Sequence, residues 1–379
     1  MSESRNETPV RRAVAEVDLG AVERNCSRLV GELEGRAALC AVVKADGYGH
    51  GMAEVAEAAV RGGATWLAVA SATEAWDLRQ ELREVPILTM GALTPAELEV
   101  AIQAASELTV WRPEFLSLVV ERAAVLGVRP PVHIKLDSGM GRLGERDQSA
   151  AEELVRAAAA EDRVELAGLW THFATADETD TAYLAEQLGA FRDFALPLKE
   201  EFGEIVLHAA NSAATLREPE SHFDMVRCGV AIYGLDPMQA DPAARRLEPA
   251  LELRSYVADV KHFKAGASAG YGRRWSASRD TWIGVIPVGY GDGVRRGLSD
   301  NADVLVGGRR YPLVGTVSMD NITVDLGPET EVQPGTSAVL IGSQGEERIL
   351  AEDLARRLDT INYEVTCGIS ARVPRAYVR

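Results

Sequence analysis

Short apolar runs recur along the first two thirds of the chain, each followed by a turn and a stretch rich in Ala, Glu, Leu and Arg. The runs are Ala38–Val43, Trp66–Ala70, Pro86–Met90, Leu108–Trp111, Val132–Leu136, Leu166–Trp170, Ile205–Ala209 and Met225–Ile232. Between them, Met52–Arg61, Thr73–Leu82, Pro113–Leu126 and Ser149–Ala160 carry apolar residues at helical spacing. Short continuous apolar strands alternating with amphipathic helices read as βαβ units on a parallel sheet. Eight such units predict an α/β fold, a closed (β/α)8 TIM-like barrel. The alternative is an open doubly wound sheet, for which no GxGxxG follows the first run.

The pattern changes at Asp236–Pro249, a stretch carrying Pro237, Pro242 and Pro249. Beyond it, Leu253–Val260, Trp282–Val288, Ala302–Val306, Ile322–Leu326 and Ala338–Ile341 are parted by Gly, Pro and Asp turns, and one helix, Ala351–Leu358, interrupts them. This spacing predicts a barrel domain over 1–247 and a mostly β C-terminal domain over 248–379. Ala13–Val17 is a candidate extra strand of the second domain.

Composition narrows the class. A chain of 379 residues, 46 % hydrophobic and 26 % charged, can bury large cores without disulfide or metal staples. Its formal charge of −17 argues against nucleic acid or an anionic membrane as partner. Cys26, Cys40, Cys228 and Cys367 form no CxxC pair, so neither a disulfide framework nor a zinc knuckle is expected. The first dozen residues are polar, without the apolar core of a secretory signal, and no run is long enough to span a bilayer. The expected compartment is the cytoplasm.

Candidate chemistry begins at Val42-Val43-Lys44-Ala45-Asp46-Gly47-Tyr48-Gly49-His50-Gly51. Lys44 ends an otherwise buried run, where an unpaired ammonium is costly and a Schiff base would satisfy the amine. Catalytic groups in such barrels gather at the C-terminal ends of the strands. On position alone, a lysine snorkelling to solvent explains Lys44 better.

The decapeptide as a whole resembles the cofactor-attachment signature of the alanine racemases, pyridoxal-phosphate (PLP) enzymes of the fold-type III barrel class, and the similarity continues along nearly the whole chain. The resemblance implies an isomerase that interconverts L- and D-alanine by a two-base mechanism, with Lys44 and Tyr271 as the catalytic residues, supplying D-alanine for the peptidoglycan of the cell wall. It implies cofactor contacts from Lys44, Tyr48, Arg142, His172, Ser212, Arg227, Gly229, Val230 and Tyr363, and substrate contacts from Arg142 and Met319. Lys135, in His133-Ile134-Lys135-Leu136-Asp137, matches a lysine often carbamylated, whose anion would hold Arg142. Tyr290 matches an entrance-gate tyrosine, and His172 lies between the catalytic tyrosine and Arg227. No metal is implied.

Arg227 carries the mechanistic weight of that set. An arginine facing the pyridine nitrogen donates a hydrogen bond without protonating it, which favours return of the proton to Cα over transamination. Tyr271, in Gly266-Ala267-Ser268-Ala269-Gly270-Tyr271-Gly272, is expected to act on the cofactor of the opposite subunit, so the resemblance implies a homodimer with shared active sites. The residues around it, Ser268, Ala269 and Arg273-Arg274-Trp275, fit no motif.

Alternatives remain on the residues alone. A racemase of other small amino acids such as serine differs only in the side-chain pocket, which Tyr363 would narrow. A barrel-type PLP decarboxylase should carry an acidic residue where Arg227 stands. A zinc hydrolase could use His133, His172 and His208 from neighbouring strands, although no HxH pair occurs. Borohydride reduction of the yellow holoprotein, followed by peptide mapping, is expected to find the vitamin B6 ring fixed on Lys44; label on another lysine, or on none, would overturn the cofactor assignment.

Overall fold

The computed structural model describes residues 11–379, which divide into two compact units: 19–248, and 11–18 together with 249–379. The strand β1 (Ala13–Asp18) belongs to the second unit. In the first, β2 (Ala38–Val42), β3 (Trp66–Val69), β4 (Ile87–Thr89), β5 (Glu107–Val110), β6 (Pro131–Lys135), β7 (Glu165–Trp170), β8 (Val206–His208) and β9 (Met225–Cys228) alternate with helices. All adjacent strands pair in parallel, in the order β8-β7-β6-β5-β4-β3-β2-β9. Two hydrogen bonds bridge the remaining seam, Asp224 N–H to Leu207 O at 3.0 Å and Arg227 N–H to Ala210 O at 2.9 Å. The eight strands form a nearly closed barrel.

Local chemistry sets the helix limits. Helices Met52–Arg61 and Pro113–Leu126 coincide with the apolar spacing, the second opening on proline and stopping at Gly127, a left-handed glycine at φ 68°. Two others start one residue earlier than the spacing suggests, at Ala72 and Gln148, because Ser71 and Asp147 cap them from outside. The run Met225–Ile232 is not one strand: it ends at Cys228, and Val230–Tyr233 turns as a 3-10 helix after Gly229.

The first helix of the barrel unit, α1 (Leu19–Glu32), buries Leu19, Val22, Cys26 and Leu29, yet its apolar face also carries Asn25, 1 % exposed. Asn25 Nδ2 donates to Ile232 O at 3.2 Å and Glu248 O at 2.8 Å, while Glu248 N–H donates to Asn25 Oδ1 at 2.9 Å. One side chain thus ties the last turn of the barrel unit to its first helix.

In the second unit β1 lies between β10 (Leu251–Tyr256), antiparallel, and the C-terminal strand Arg375–Val378, parallel. The run Leu253–Val260 splits here: β10 ends at Tyr256 and β11 (Asp259–Phe263) joins a separate antiparallel sheet with Thr281–Ile286 and Ile322–Gly327. Buried Val257, between the two, donates to Thr336 O at 2.8 Å, so the corner is apolar and carries no turn residue to announce it.

Asn25→Ala leaves Ile232 O and both backbone groups of Glu248 without their partner, and should cost about 2 kcal/mol. The expected result is a lower thermal midpoint for the barrel unit; an unchanged midpoint would remove Asn25 from this role.

Candidate active site

Lys44 lies two residues past the end of β2, where the chain makes a left-handed turn. Ala45, Asp46, Gly47, Tyr48 and Gly49 have φ of 53°, 51°, 59°, 53° and 84° in succession. Left-handed backbone costs a residue with a Cβ about 1–2 kcal/mol, so three such residues need support. Glu74 Oε1 accepts from Ala45 N–H at 2.7 Å and Asp46 Oδ1 from Met52 N–H at 3.1 Å. Gly47 N–H and Gly49 N–H close the turn onto Val43 O at 2.9 Å and Ala45 O at 3.1 Å.

The turn carries Tyr48 into the interior, its ring centroid 5.0 Å from that of Tyr233, whose hydroxyl is anchored on Val42 O at 3.0 Å. The phenol oxygen of Tyr48 comes so near Gly229 that a Cβ there would sit 2.5 Å from it. Ser212, buried at the start of helix Ser212–Arg217, accepts from Gly229 N–H at 3.0 Å and Ala231 N–H at 3.3 Å. Two hydroxyls, a bare backbone and the start of the Val230 turn therefore converge after β8 and β9, the part of a barrel where phosphates bind.

Arg227, on β9, is 3 % exposed. Its Nη1 lies 3.0 Å from His208 Nδ1, and its Nη2 donates to Thr171 O at 2.8 Å and Ala209 O at 3.0 Å, with His172 Nδ1 at 3.3 Å. No carboxylate touches it among these partners, and Nε has no acceptor among the described residues. Burial pushes the guanidinium down to about 10. His172, half-buried two residues beyond β7, and His208, buried, are held neutral, their pKa values driven well below the usual imidazole range by desolvation and the Arg227 charge.

Lys135 ends β6, 3 % exposed, with Nζ 4.2 Å above the Trp170 ring; Arg227 Cζ lies 4.6 Å from the same ring. Burial first, then the charges of Arg227 and Arg142, push its amine down to about 7, although Asp137 opposes them. Asp137 shapes the following loop by accepting from Gly139 N–H at 3.1 Å and Gly141 N–H at 3.0 Å. Asp137 N–H to Glu145 O at 2.8 Å and Glu145 N–H to Lys135 O at 3.0 Å close that loop, which carries Arg142 exposed.

The structure thus brings together Lys44, Tyr48, Lys135, Arg142, His172, Ser212, Arg227, Gly229 and Val230 in the barrel unit. The other candidates lie in the second unit. Tyr271 is 73 % exposed at the head of a 3-10 turn, its carbonyl accepting from Thr316 Oγ1 at 2.8 Å. The surrounding residues that fit no motif form a small hairpin: Ser268–Ala269 pairs with Trp275–Ser276, and Arg273 Nε donates to Ser268 Oγ at 2.9 Å. Tyr290 and Met319, both exposed, are linked by Tyr290 N–H to Ser318 O at 3.0 Å and Gly291 N–H to Met319 O at 2.9 Å. Tyr363 is half-buried on helix Asn362–Cys367.

Sequence reasoning missed several contributors: Trp170, which carries two cations, and Glu74 and Asp46, which support the left-handed turn. The glycines at 47, 49 and 51 were the available signal for that turn. His133 and His208 bond to each other at 2.9 Å rather than converging on a shared point, and among the described residues no group of three His, Cys, Asp or Glu could hold a metal.

The Lys44 amine, the guanidinium groups of Arg142 and Arg227, neutral histidines and a hydroxyl-lined cradle suit a ligand carrying phosphate, carboxylate and a reactive carbonyl. That donor set fits PLP and defines a PLP-dependent barrel enzyme. The alanine racemase N-terminal domain model matches residues 17–237, and the C-terminal domain model 250–377. The chain is 43 % identical to alanine racemase of Geobacillus stearothermophilus, covering 96 % of this chain and 93 % of that one. It is 40 % identical to alanine racemase 1 of Bacillus subtilis, covering 96 % and 92 %. The crystal structure of alanine racemase from Streptomyces lavendulae superposes with a TM-score of 0.92 at 38 % identity over 98 % of each chain. This chain belongs to the alanine racemase family, and its cofactor is PLP.

The lowered Lys135 amine has a thermodynamic consequence. Between pH 7 and 10.5 the unfolded chain binds a proton there that the folded chain does not, so this residue makes stability rise with pH across that window. Lys135→Met should therefore stabilise the protein most below pH 7, by a few kcal/mol, and progressively less towards pH 10.5. Denaturant titrations in carbon-dioxide-free buffer would check this; a gain independent of pH would mean the amine is not desolvated.

Proposed function

We propose that this chain racemises alanine through two proton carriers set on opposite faces of the bound substrate, Lys44 from the barrel and Tyr271 from a second copy of the chain. The observation that carries the reading is Arg227, buried with neutral acceptors alone and with Nε open. A decarboxylase of the same architecture would place a carboxylate there to protonate the cofactor ring.

PLP, when bound, acidifies the α-C–H of the amino acid joined to it. Lys44 Nζ would tether the cofactor and would hold or accept the proton on one face. The Tyr271 phenol does the same on the other; by family resemblance Tyr271 handles the proton of L-alanine and Lys44 that of D-alanine. Inversion requires both, because a single base would return the proton to the face it left. Arg227 would hold the cofactor ring by donating from Nε and would keep its own proton. Tyr48, Ser212, Gly229, Val230 and Tyr363 would hold the phosphate.

Arg142 and the Met319 backbone orient the substrate carboxylate, Tyr290 narrows the entrance, and Tyr363 limits the side chain to a methyl group, which disfavours serine. Lys135 carries a carbamate: a neutral amine at physiological pH reacts with carbon dioxide, and the resulting anion relieves its repulsion with Arg142 and Arg227. The buried Trp170 Nε1–H beside it has no acceptor among the described residues, which an added carboxylate could supply. A homodimer follows from the need for Tyr271, whose ring is 73 % exposed. Among the described residues no helix is long and apolar enough to cross a membrane; we assign the enzyme to the cytoplasm, where D-alanine for peptidoglycan is made.

Circular dichroism of L-alanine incubated with the protein tests turnover, and subunit mixing tests the shared site. Lys44→Ala and Tyr271→Ala should each be inactive alone. Co-expressed in equal amounts, they should recover about a quarter of wild-type activity, since half of the dimers are mixed and each has one intact site. No recovery would mean that Tyr271 does not serve a neighbouring subunit.

A further inference from the structure

His133 and His208 lie inside the barrel and take no part in the proton transfers above. His208 Nδ1 is 3.0 Å from Arg227 Nη1, its Nε2 is 2.9 Å from His133 Nδ1, and His133 Nε2 is 2.9 Å from Glu107 Oε2. Glu107 Oε2 also accepts from Trp66 Nε1 at 3.1 Å. The two imidazoles can meet because Gly168, on β7, has no Cβ, which would collide with His133 Nδ1. Their rings meet edge to face with centroids 5.0 Å apart, and His208 lies parallel to the Trp170 indole at 5.6 Å.

The guanidinium fixes the direction of every bond in this row. Arg227 can only donate, so His208 Nδ1 is bare and accepts. Neutral His208 then carries its proton on Nε2 and donates to His133 Nδ1, which must also be bare. His133 in turn carries its proton on Nε2 and donates to Glu107. Any other assignment sets two protons head to head or strips an imidazole of both. Desolvation favours neutral His208, and Glu107 stays ionised because the hydrogen bonds of His133 and Trp66 outweigh its burial.

We propose that Glu107 and His133 are positioning residues for Arg227, locking His208 as an acceptor so that the guanidinium presents Nε to the cofactor ring nitrogen. The proposal rests on the racemase reading for what Nε faces, but not for the bonding itself. Glu107 opens β5, so the row runs from the start of one barrel strand to the catalytic end of another, and it supplies a distant counter-charge for a buried cation that touches no carboxylate. A purely structural role would satisfy the same polar atoms without moving the cofactor.

Nitrogen-15 NMR of the histidine side chains in wild-type holoenzyme at neutral pH should find both His133 and His208 neutral with the proton on Nε2. A proton on Nδ1 of either ring would overturn the proposal. Glu107→Gln, which can still accept from His133, should keep these tautomers and the visible absorption band of the bound cofactor. His133→Phe, which conserves volume and breaks the row, should shift that band and lower kcat about tenfold, the size seen when outer-shell partners of metal-bound histidines are removed, with KM for alanine little changed. A His133→Phe enzyme with altered melting temperature but unchanged band and kcat would assign the row to stability alone. If the protein proved not to racemise alanine, the tautomer result would still stand or fall independently.

Discussion

The barrel holds buried positive charge that no carboxylate of the described residues touches. Arg227, 3 % exposed, is bonded to carbonyls and imidazole nitrogens, and Lys135, equally buried, rests on an indole face. Such desolvation is expensive unless the charge is neutralised or met by a ligand. Each feature of the site answers to it. The histidines are neutral because a further cation could not be accommodated, Lys135 loses its proton near pH 7, and the remaining positive charge makes the pocket a receptor for phosphate and carboxylate. A carboxylate against Arg227 would relieve the desolvation and, by the same act, remove the donor that the proposed function sets against the cofactor ring nitrogen.

The backbone makes a comparable concession at Lys44. Three residues with a Cβ, Ala45, Asp46 and Tyr48, occupy left-handed conformation around Gly47, and the Glu74 side chain from elsewhere and that of Asp46 itself hold the turn. Strain of this kind persists where the surroundings over-determine it, and it collects at functional sites. The turn ends the strand abruptly, sets Lys44 at the barrel mouth and carries Tyr48 inward over Gly229 within a few residues. A helix or extended chain could not do both.

Much of the fold was legible because buried parallel strands are continuous apolar runs and the helices between them are amphipathic. The limits of Pro113–Leu126 could be read to the residue, since proline and glycine bracket it. The corner at Val257 could not, because it is as apolar as the strands it separates. The site divides in the same way. Lys44, Arg227 and Ser212 were singled out through resemblance, since spacing alone gave only a strand-end lysine and a glycine after a strand. Glu107, and the bonds of His133, escaped because their partners lie on other strands, and a polar residue beside or within an apolar run does not reveal what it touches. The reading of His133 and His208 as possible zinc ligands foundered on geometry: their nitrogens are directed at one another.

Stereochemistry explains why the active site cannot be completed by the barrel strands. Catalytic groups of a barrel rise from the C-terminal ends of its strands and so reach a ligand lying across the mouth mainly from below. One proton carrier can come from there, as Lys44 does in the proposed mechanism. The other must approach from above, from chain that is not part of the barrel wall. Tyr271 stands on a glycine-framed turn with 73 % of its surface exposed, a wasteful arrangement for an aromatic ring in an isolated subunit and a sensible one for a ring that is covered on assembly. In such an enzyme dimer formation would itself be a catalytic requirement, because without the neighbouring chain the α-proton could be removed but not delivered to the opposite face.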